Sequence, residues 1–70
     1  MKRKNWMKWH VDNDVSYKEV AEEMGYTVNH YSLLINGKGD PSFGFIEEFC
    51  AYAEKHGYEI GDVWEFFKKF

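Results

Sequence analysis

Residues 16–42 read SYKEVAEEMGYTVNHYSLLINGKGDPS, and this stretch decides the fold. It opens on a capping box, in which Ser16 can accept from the Glu19 N–H while the Glu19 carboxylate reaches back to Ser16. Val15 before the cap and Val20 at the fourth helical position make a hydrophobic staple. The spacing predicts a helix over Tyr17–Met24. Val20, Ala21 and Met24 form its inward stripe, and Glu19, Glu22 and Glu23 point outward. Gly25 is placed to take the left-handed conformation that ends such a helix. Thr27 is then the N-cap of a second helix, Val28–Ile35, with Tyr31 and Leu34 facing inward. The run from Asn36 through Gly37, Lys38, Gly39 and Asp40 to Pro41 meets every criterion for a loop.

Upstream, Trp6, Trp9 and His10 are spaced i, i+3, i+4, which predicts a helix over Asn5–Asp12 with one aromatic face. Asn13 and Asp14 signal the turn that follows. Downstream, Ser42 caps a fourth helix whose stripe is Ile46, Phe49, Cys50 and Ala53, with Phe43 and Phe45 beside it. Gly57 closes that helix. A fifth is expected over Asp62–Lys69, opened by a second capping box from Asp62 to Glu65. Val63, Trp64 and Phe67 are expected on its core side. No apolar–polar alternation lasts five residues, so no strand is expected. The expected fold is all-α: a compact five-helix bundle forming one domain over residues 1–70. Its expected core contains Ala21, Met24, Tyr31, Leu34, Ile46, Phe49 and Trp64.

Seventy residues leave no room for a second core. The single cysteine, Cys50, excludes an intrachain disulfide and any four-ligand zinc site that needs two cysteines. A composition that is 44% hydrophobic and 20% aromatic excludes a disordered chain. The longest apolar runs are far too short to span a bilayer. The basic start at Lys2, Arg3 and Lys4 lacks the apolar region a signal peptide needs, and together with the lone cysteine this suits a reducing cytosol. The net charge of −3 hides a polarised distribution. Residues 1–11 carry Lys2, Arg3, Lys4 and Lys8 and no acid, whereas the rest of the chain is acidic in balance. A local basic field on an acidic body is compatible with a polyanionic partner.

The motif from Val20 and Ala21 through Met24-Gly25-Tyr26-Thr27 and Tyr31-Ser32 to Leu34, then Asn36-Gly37-Lys38 and Pro41-Ser42, resembles the lambda-repressor-like (Cro/cI-type, XRE-like) helix-turn-helix family. That family has a small residue where its second and third helices cross, glycine in the turn, and Asn-Gly-Lys and Pro-Ser before its fourth helix. The segment from Tyr58 to Trp64 also looks like the family's entry to its last helix. The resemblance covers roughly residues 5–67. Three features depart from it. Leu33 and Ile35 stand where the family commonly has polar or acidic residues, and the segment from Phe49 to Gly57 is longer.

The resemblance implies that Val28–Ile35 reads the major groove. Val28, Asn29 and Leu33 fall on its groove side, with His30 and Ser32 flanking. Asn29 can pair bidentately with an adenine edge, and Val28 or Leu33 can meet a thymine methyl. Thr27, the helix N-terminus, Asn36 and Lys38 are expected near phosphates. Tyr17 matches a position that touches phosphate in the family, or else it covers Trp9. Lys2, Arg3 and Lys4 are either an arm reaching DNA or a solvated terminus. The rings of Trp6, Trp9, Tyr52, Trp64, Phe66, Phe67 and Phe70 are mostly core by default, but seven are many for so small a bundle. The excess among Trp64, Phe66, Phe67 and Phe70 suggests a dimer face.

The expected function is therefore sequence-specific binding of double-stranded DNA. The chain would be a small transcriptional regulator of bacterial or phage type, acting in the cytoplasm as a homodimer on a pseudo-palindromic operator. No cofactor, metal, membrane or small-molecule effector is expected. His10, His30, His56 and Cys50 fall on separate stretches, and no catalytic grouping is evident, so an enzyme is not expected. The alternative is a protein-interaction module of the same fold, such as an antirepressor or a subunit of a phage or host complex. The apolar third helix and the acidic body motivate it.

Overall fold

In a computed structural model that describes all seventy residues, the helices are α1 Lys4–Asp12, α2 Tyr17–Met24, α3 Val28–Ile35, α4 Phe43–Lys55 and α5 Val63–Phe66, with no strand. The caps are where the sequence puts them. Ser16 Oγ accepts from the Glu19 N–H at 3.1 Å, Thr27 Oγ1 from the His30 N–H at 3.1 Å, and Ser42 Oγ from the Phe45 N–H at 3.1 Å. Each satisfies one of the N–H groups a helix start leaves free. Gly25 ends α2 at φ +82, and the next N–H, that of Tyr26, returns 2.8 Å to the Ala21 carbonyl. The resulting turn sets α3 against α2, the most extensive helix–helix contact in the chain. Ala21, with no exposed surface, is the small residue that allows this approach. The radius of gyration is 10.9 Å, close to the ~11 Å expected when all seventy residues pack as one domain.

The core is aromatic and centred on Trp6, which has 0% exposure. The rings of Phe67, Tyr31, Phe49 and Phe45 meet it edge-on at 4.8, 5.0, 5.6 and 5.7 Å between centroids. Such pairs add about 0.5–1.5 kcal/mol each beyond the apolar area they bury. A line of hydrogen bonds runs through this core. The Trp6 indole N–H donates to the Tyr31 hydroxyl at 2.9 Å, and that hydroxyl donates to His10 Nε2 at 2.6 Å. His10 Nδ1 lies 2.7 Å from the Val15 carbonyl. A carbonyl can only accept, so Nδ1 carries the proton, and burial, which disfavours the imidazolium, leaves Nε2 as the acceptor. Burial lowers the His10 pKa, with the Val15 bond opposing in part, and burial raises that of Tyr31. The line ties α1 to α3 and to the turn before α2.

The last helix departs from expectation. It is a single turn rather than eight residues, because its continuation is claimed by the N-terminal strap. The Phe67 carbonyl accepts from Arg3 Nε at 2.9 Å, and the Phe70 N–H donates to the Lys2 carbonyl at 2.8 Å. In that turn Phe66 takes the inward place, and Trp64 is 87% exposed rather than core. Asp62 caps the turn by accepting from the Trp64 N–H at 2.9 Å, not from Glu65. On α4 the buried face is Phe45, Phe49, Tyr52 and Ala53. Ile46 and Cys50 are half-buried, and Phe43, at 85% exposure, projects into solvent. Met24 is also half-buried, packed at the edge of the core.

Candidate nucleic-acid interface

Helix α3 presents one face to the core and the opposite face to solvent. Tyr31, Leu34 and Ile35 are buried. Ile35 is therefore apolar because it is a core residue, not because the outer face is greasy. Val28, Asn29, Ser32 and Leu33, spaced i, i+1, i+4, i+5, share the outer side. Val28, Asn29 and Leu33 are exposed, Leu33 at 53%. The Asn29 amide has no partner within the chain, so both its donor and its acceptor are available. Nothing charged lies within α3 itself.

The neighbouring side chains are more constrained. Thr27 spends its oxygen on the His30 N–H, which leaves the N–H groups of Val28 and Asn29 free at the helix start. His30 stacks on Tyr26, their rings 5.6 Å apart and 21° from parallel, which draws it away from the centre of the outer face. Asn36 is the C-cap of α3. Its Nδ2 donates to the Ser32 carbonyl at 2.8 Å and lies 3.3 Å from Ser32 Oγ, so Asn36 and Ser32 are tied to each other. Tyr17 is half-buried against His10 and Tyr31, at 4.7 and 5.8 Å between centroids, and burial pushes its hydroxyl pKa up. It supports the hydrogen-bonded line through the core, rather than covering Trp9.

The basic N-terminus is divided. Lys2 and Lys4 are exposed, but Arg3 is 3% exposed and is not part of a free arm. Its guanidinium donates from Nη1 to the Leu34 carbonyl at 2.6 Å and the Gly39 carbonyl at 2.9 Å. Nη2 donates to Asp40 Oδ1 at 2.9 Å, and Nε reaches Phe67 as above. The Arg3 N–H also donates to the Ile35 carbonyl at 2.8 Å. A cation here adds a charged donor to the Leu34 carbonyl, which also accepts from the Gly37 N–H at 3.1 Å, and it opposes the negative end of the helix dipole. Arg3 thus pins together the end of α3, the 36–40 loop and the C-terminal tail. Gly37 serves the same junction. It has φ +77, and a Cβ there would overlap the Met1 carbonyl.

The placement of Lys68 and Lys69 has no local signal in the sequence. Lys69 reaches back to Asp40 Oδ1 at 3.2 Å, and the tail that carries Lys68 and Lys69 is held to the N-terminus by the Arg3–Phe67 and Phe70–Lys2 hydrogen bonds. Only a contact between the two ends of the chain reveals this. The expected dimer face is reduced in the same way. Phe66 and Phe67 are buried in the core of the single chain, which leaves Trp64 and Phe70 exposed. No helix is long and apolar enough to cross a membrane. Comparison with protein-family models, with curated proteins and with solved structures finds no match to this chain.

Proposed function

We propose that this chain binds double-stranded DNA in a sequence-specific manner, as a small transcriptional regulator of bacterial or phage type. The observation that carries the reading is the outer face of α3. There the unengaged Asn29 amide stands between the apolar Val28 and Leu33, on a helix rigidly set against α2. Asn29 would pair with adenine N6 and N7, and Val28 and Leu33 would meet thymine methyls. The free N–H groups at the start of α3 and the lysines at its end, Lys38 with Lys2 and Lys4, would hold phosphates and fix the register. Arg3 has left that list for the interior. The proposed active form is a cytoplasmic homodimer on a pseudo-palindromic operator, with Trp64 and Phe70 as the aromatic surface available for pairing. Regulation would be steric, by occupancy of a promoter.

A second reading is favoured by one observation, the exposure of Leu33 and Val28 together. In it the same face of α3 docks on an apolar patch of a protein, as in an antirepressor or a subunit of a larger complex. Selection of random duplexes with the purified protein separates the two. An enriched palindrome supports the DNA reading. No enrichment at low salt, where phosphate contacts are strongest, supports the protein-binding one.

A further inference from the structure

Six of the nine Lys and Arg residues, namely Lys2, Arg3, Lys4, Lys38, Lys68 and Lys69, come from three separate stretches of sequence. The fold gathers those stretches at one junction, the C-terminal end of α3. The Met1 carbonyl lies against Gly37, the Lys2 carbonyl takes the Phe70 N–H, and the Arg3 guanidinium holds Leu34, Gly39 and Phe67 at once. Lys69 lies across the loop, with its Cδ beside Gly37 and its Nζ on Asp40. The Lys68 ammonium sits 5.3 Å from the centre of the Phe70 ring. Lys2, Lys38 and Lys68 are exposed, and no ion pair forms at any of the three. Asp40 carries the one acidic side chain among the residues of this junction. It is highly exposed, and Lys69 first, then Arg3, hold its carboxyl below the usual range.

We propose that Lys68 and Lys69 complete, with Lys38 and Lys2, a platform for the phosphates of duplex DNA, and that Asp40 is an internal counter-ion which a phosphate replaces on Lys69. The inference rests on the DNA reading for its occupant but not for its chemistry. Arg3 is the fixed part of the platform, since four acceptors hold its guanidinium in the interior. Lys69 is the mobile part, because its only partner is an exposed carboxylate and its stem is flexible. Exchange of Asp40 for a phosphate costs Lys69 one charged contact and gains another. It also releases a condensed cation from the DNA, which is the usual source of salt-dependent affinity.

The test measures binding of the full chain to a labelled random-sequence duplex and to heparin, a polyanion without bases, between about 50 and 200 mM salt. The variants are Lys68→Gln with Lys69→Gln, Asp40→Asn, and, as a control, Lys55→Gln at the end of α4. Thermal unfolding of each confirms that it is folded. The double variant is expected to bind the duplex with a salt slope lower by close to two. The loss at about 0.1 M salt should be about eightfold for each contact removed, from a slope of about 0.9 per contact over the decade to the 1 M reference. Asp40→Asn should bind more tightly than wild type, and Lys55→Gln should match wild type. Heparin bound through Lys68 and Lys69, with no duplex bound, makes the cluster a polyanion site of another kind and overturns both its assignment to duplex DNA and the DNA reading. Duplex binding with the double variant indistinguishable from wild type overturns the platform and leaves the DNA reading standing. Failure of the wild type to bind either polyanion at low salt overturns both.

Discussion

Replacing Arg3 by methionine keeps a stem of similar length and removes every guanidinium donor. If Arg3 were part of a DNA-contacting arm, the variant would fold normally and bind DNA less well. The structure predicts the opposite emphasis. The Leu34 and Phe67 carbonyls would lose charged donors in a buried setting, and Asp40 would keep only Lys69. Hydrogen bonds to charged groups are worth about 1.5–3 kcal/mol each, and losing the two buried ones, to the Leu34 and Phe67 carbonyls, costs about 3–5 kcal/mol in total because the terms do not add in full. A seventy-residue domain has only about 3.5–10 kcal/mol of stability at 0.05–0.15 kcal/mol per residue. The loss therefore consumes a large part of the whole. At 4–8 °C per kcal/mol for a domain this size, Tm should fall by about 12–40 °C. Urea unfolding followed by tryptophan fluorescence gives the free energy directly. A Tm within a few degrees of wild type, coupled to weaker DNA binding, would return Arg3 to the arm and refute the pin.

Tyr31→Phe should cost about 2–4 kcal/mol in urea unfolding, because it strands both the Trp6 indole N–H and His10 Nε2 in the interior; a loss under about 0.5 kcal/mol would break the proposed line of hydrogen bonds. His10 makes stability pH-dependent: its folded pKa lies below the ordinary 6.5, so the unfolded chain takes up the proton first. Stability should be flat above about pH 6.5 and fall below it by up to about 1.4 kcal/mol per pH unit, down to the folded pKa. His10→Asn, compared with wild type at about pH 7.5 and 5.5, should lack that slope; an equal slope in both would assign it elsewhere. Trp64→Ser with Phe70→Ser should leave Tm within a few degrees, since both rings are exposed, and should convert dimers to monomers in sedimentation. A wild type that is monomeric at high concentration would remove the dimer.

What could be read from the sequence was local. Ser16, Thr27 and Ser42 cap their helices through N–H groups three residues away, so short-range pattern sufficed for α2, α3 and the start of α4. The burial of Ala21, Tyr31, Leu34 and Phe49 followed from helical period. The parts that were not legible depend on partners far along the chain. Arg3 lies 64 residues from Phe67, and a charged residue beside two lysines reads as solvated until the carbonyls that hold it are known. The same contact holds the residues that follow α5, and within that single turn Phe66 rather than Trp64 faces the core. On that single turn either ring could have faced inward by spacing alone. Ile35 is the reverse case: its apolar character looked like a departure on a reading helix, and its complete burial explains it. Within the candidate site, the outward placing of Asn29, Val28 and Leu33 was expected from the helix-turn-helix resemblance, and their exposure agrees with it. The place of Lys69 was not legible, because only tertiary structure brings it to the 36–40 loop.

In the proposed function the outer face of α3 reads bases while the lysines at its end hold phosphates. Asn29→Ala and Lys38→Ala, each measured on the selected duplex and on random duplex at two salt concentrations, test it most directly. Both residues are exposed, so neither substitution should disturb the fold. Asn29→Ala should lose about 1–3 kcal/mol on the selected duplex and far less on random DNA, because a bidentate amide pairing suits one base. Lys38→Ala should weaken both DNAs alike and lower the salt slope by about one. If Asn29→Ala weakens selected and random DNA equally, α3 is not the reader. If neither variant changes binding to any duplex, Leu33 and Val28 are contacts to a protein.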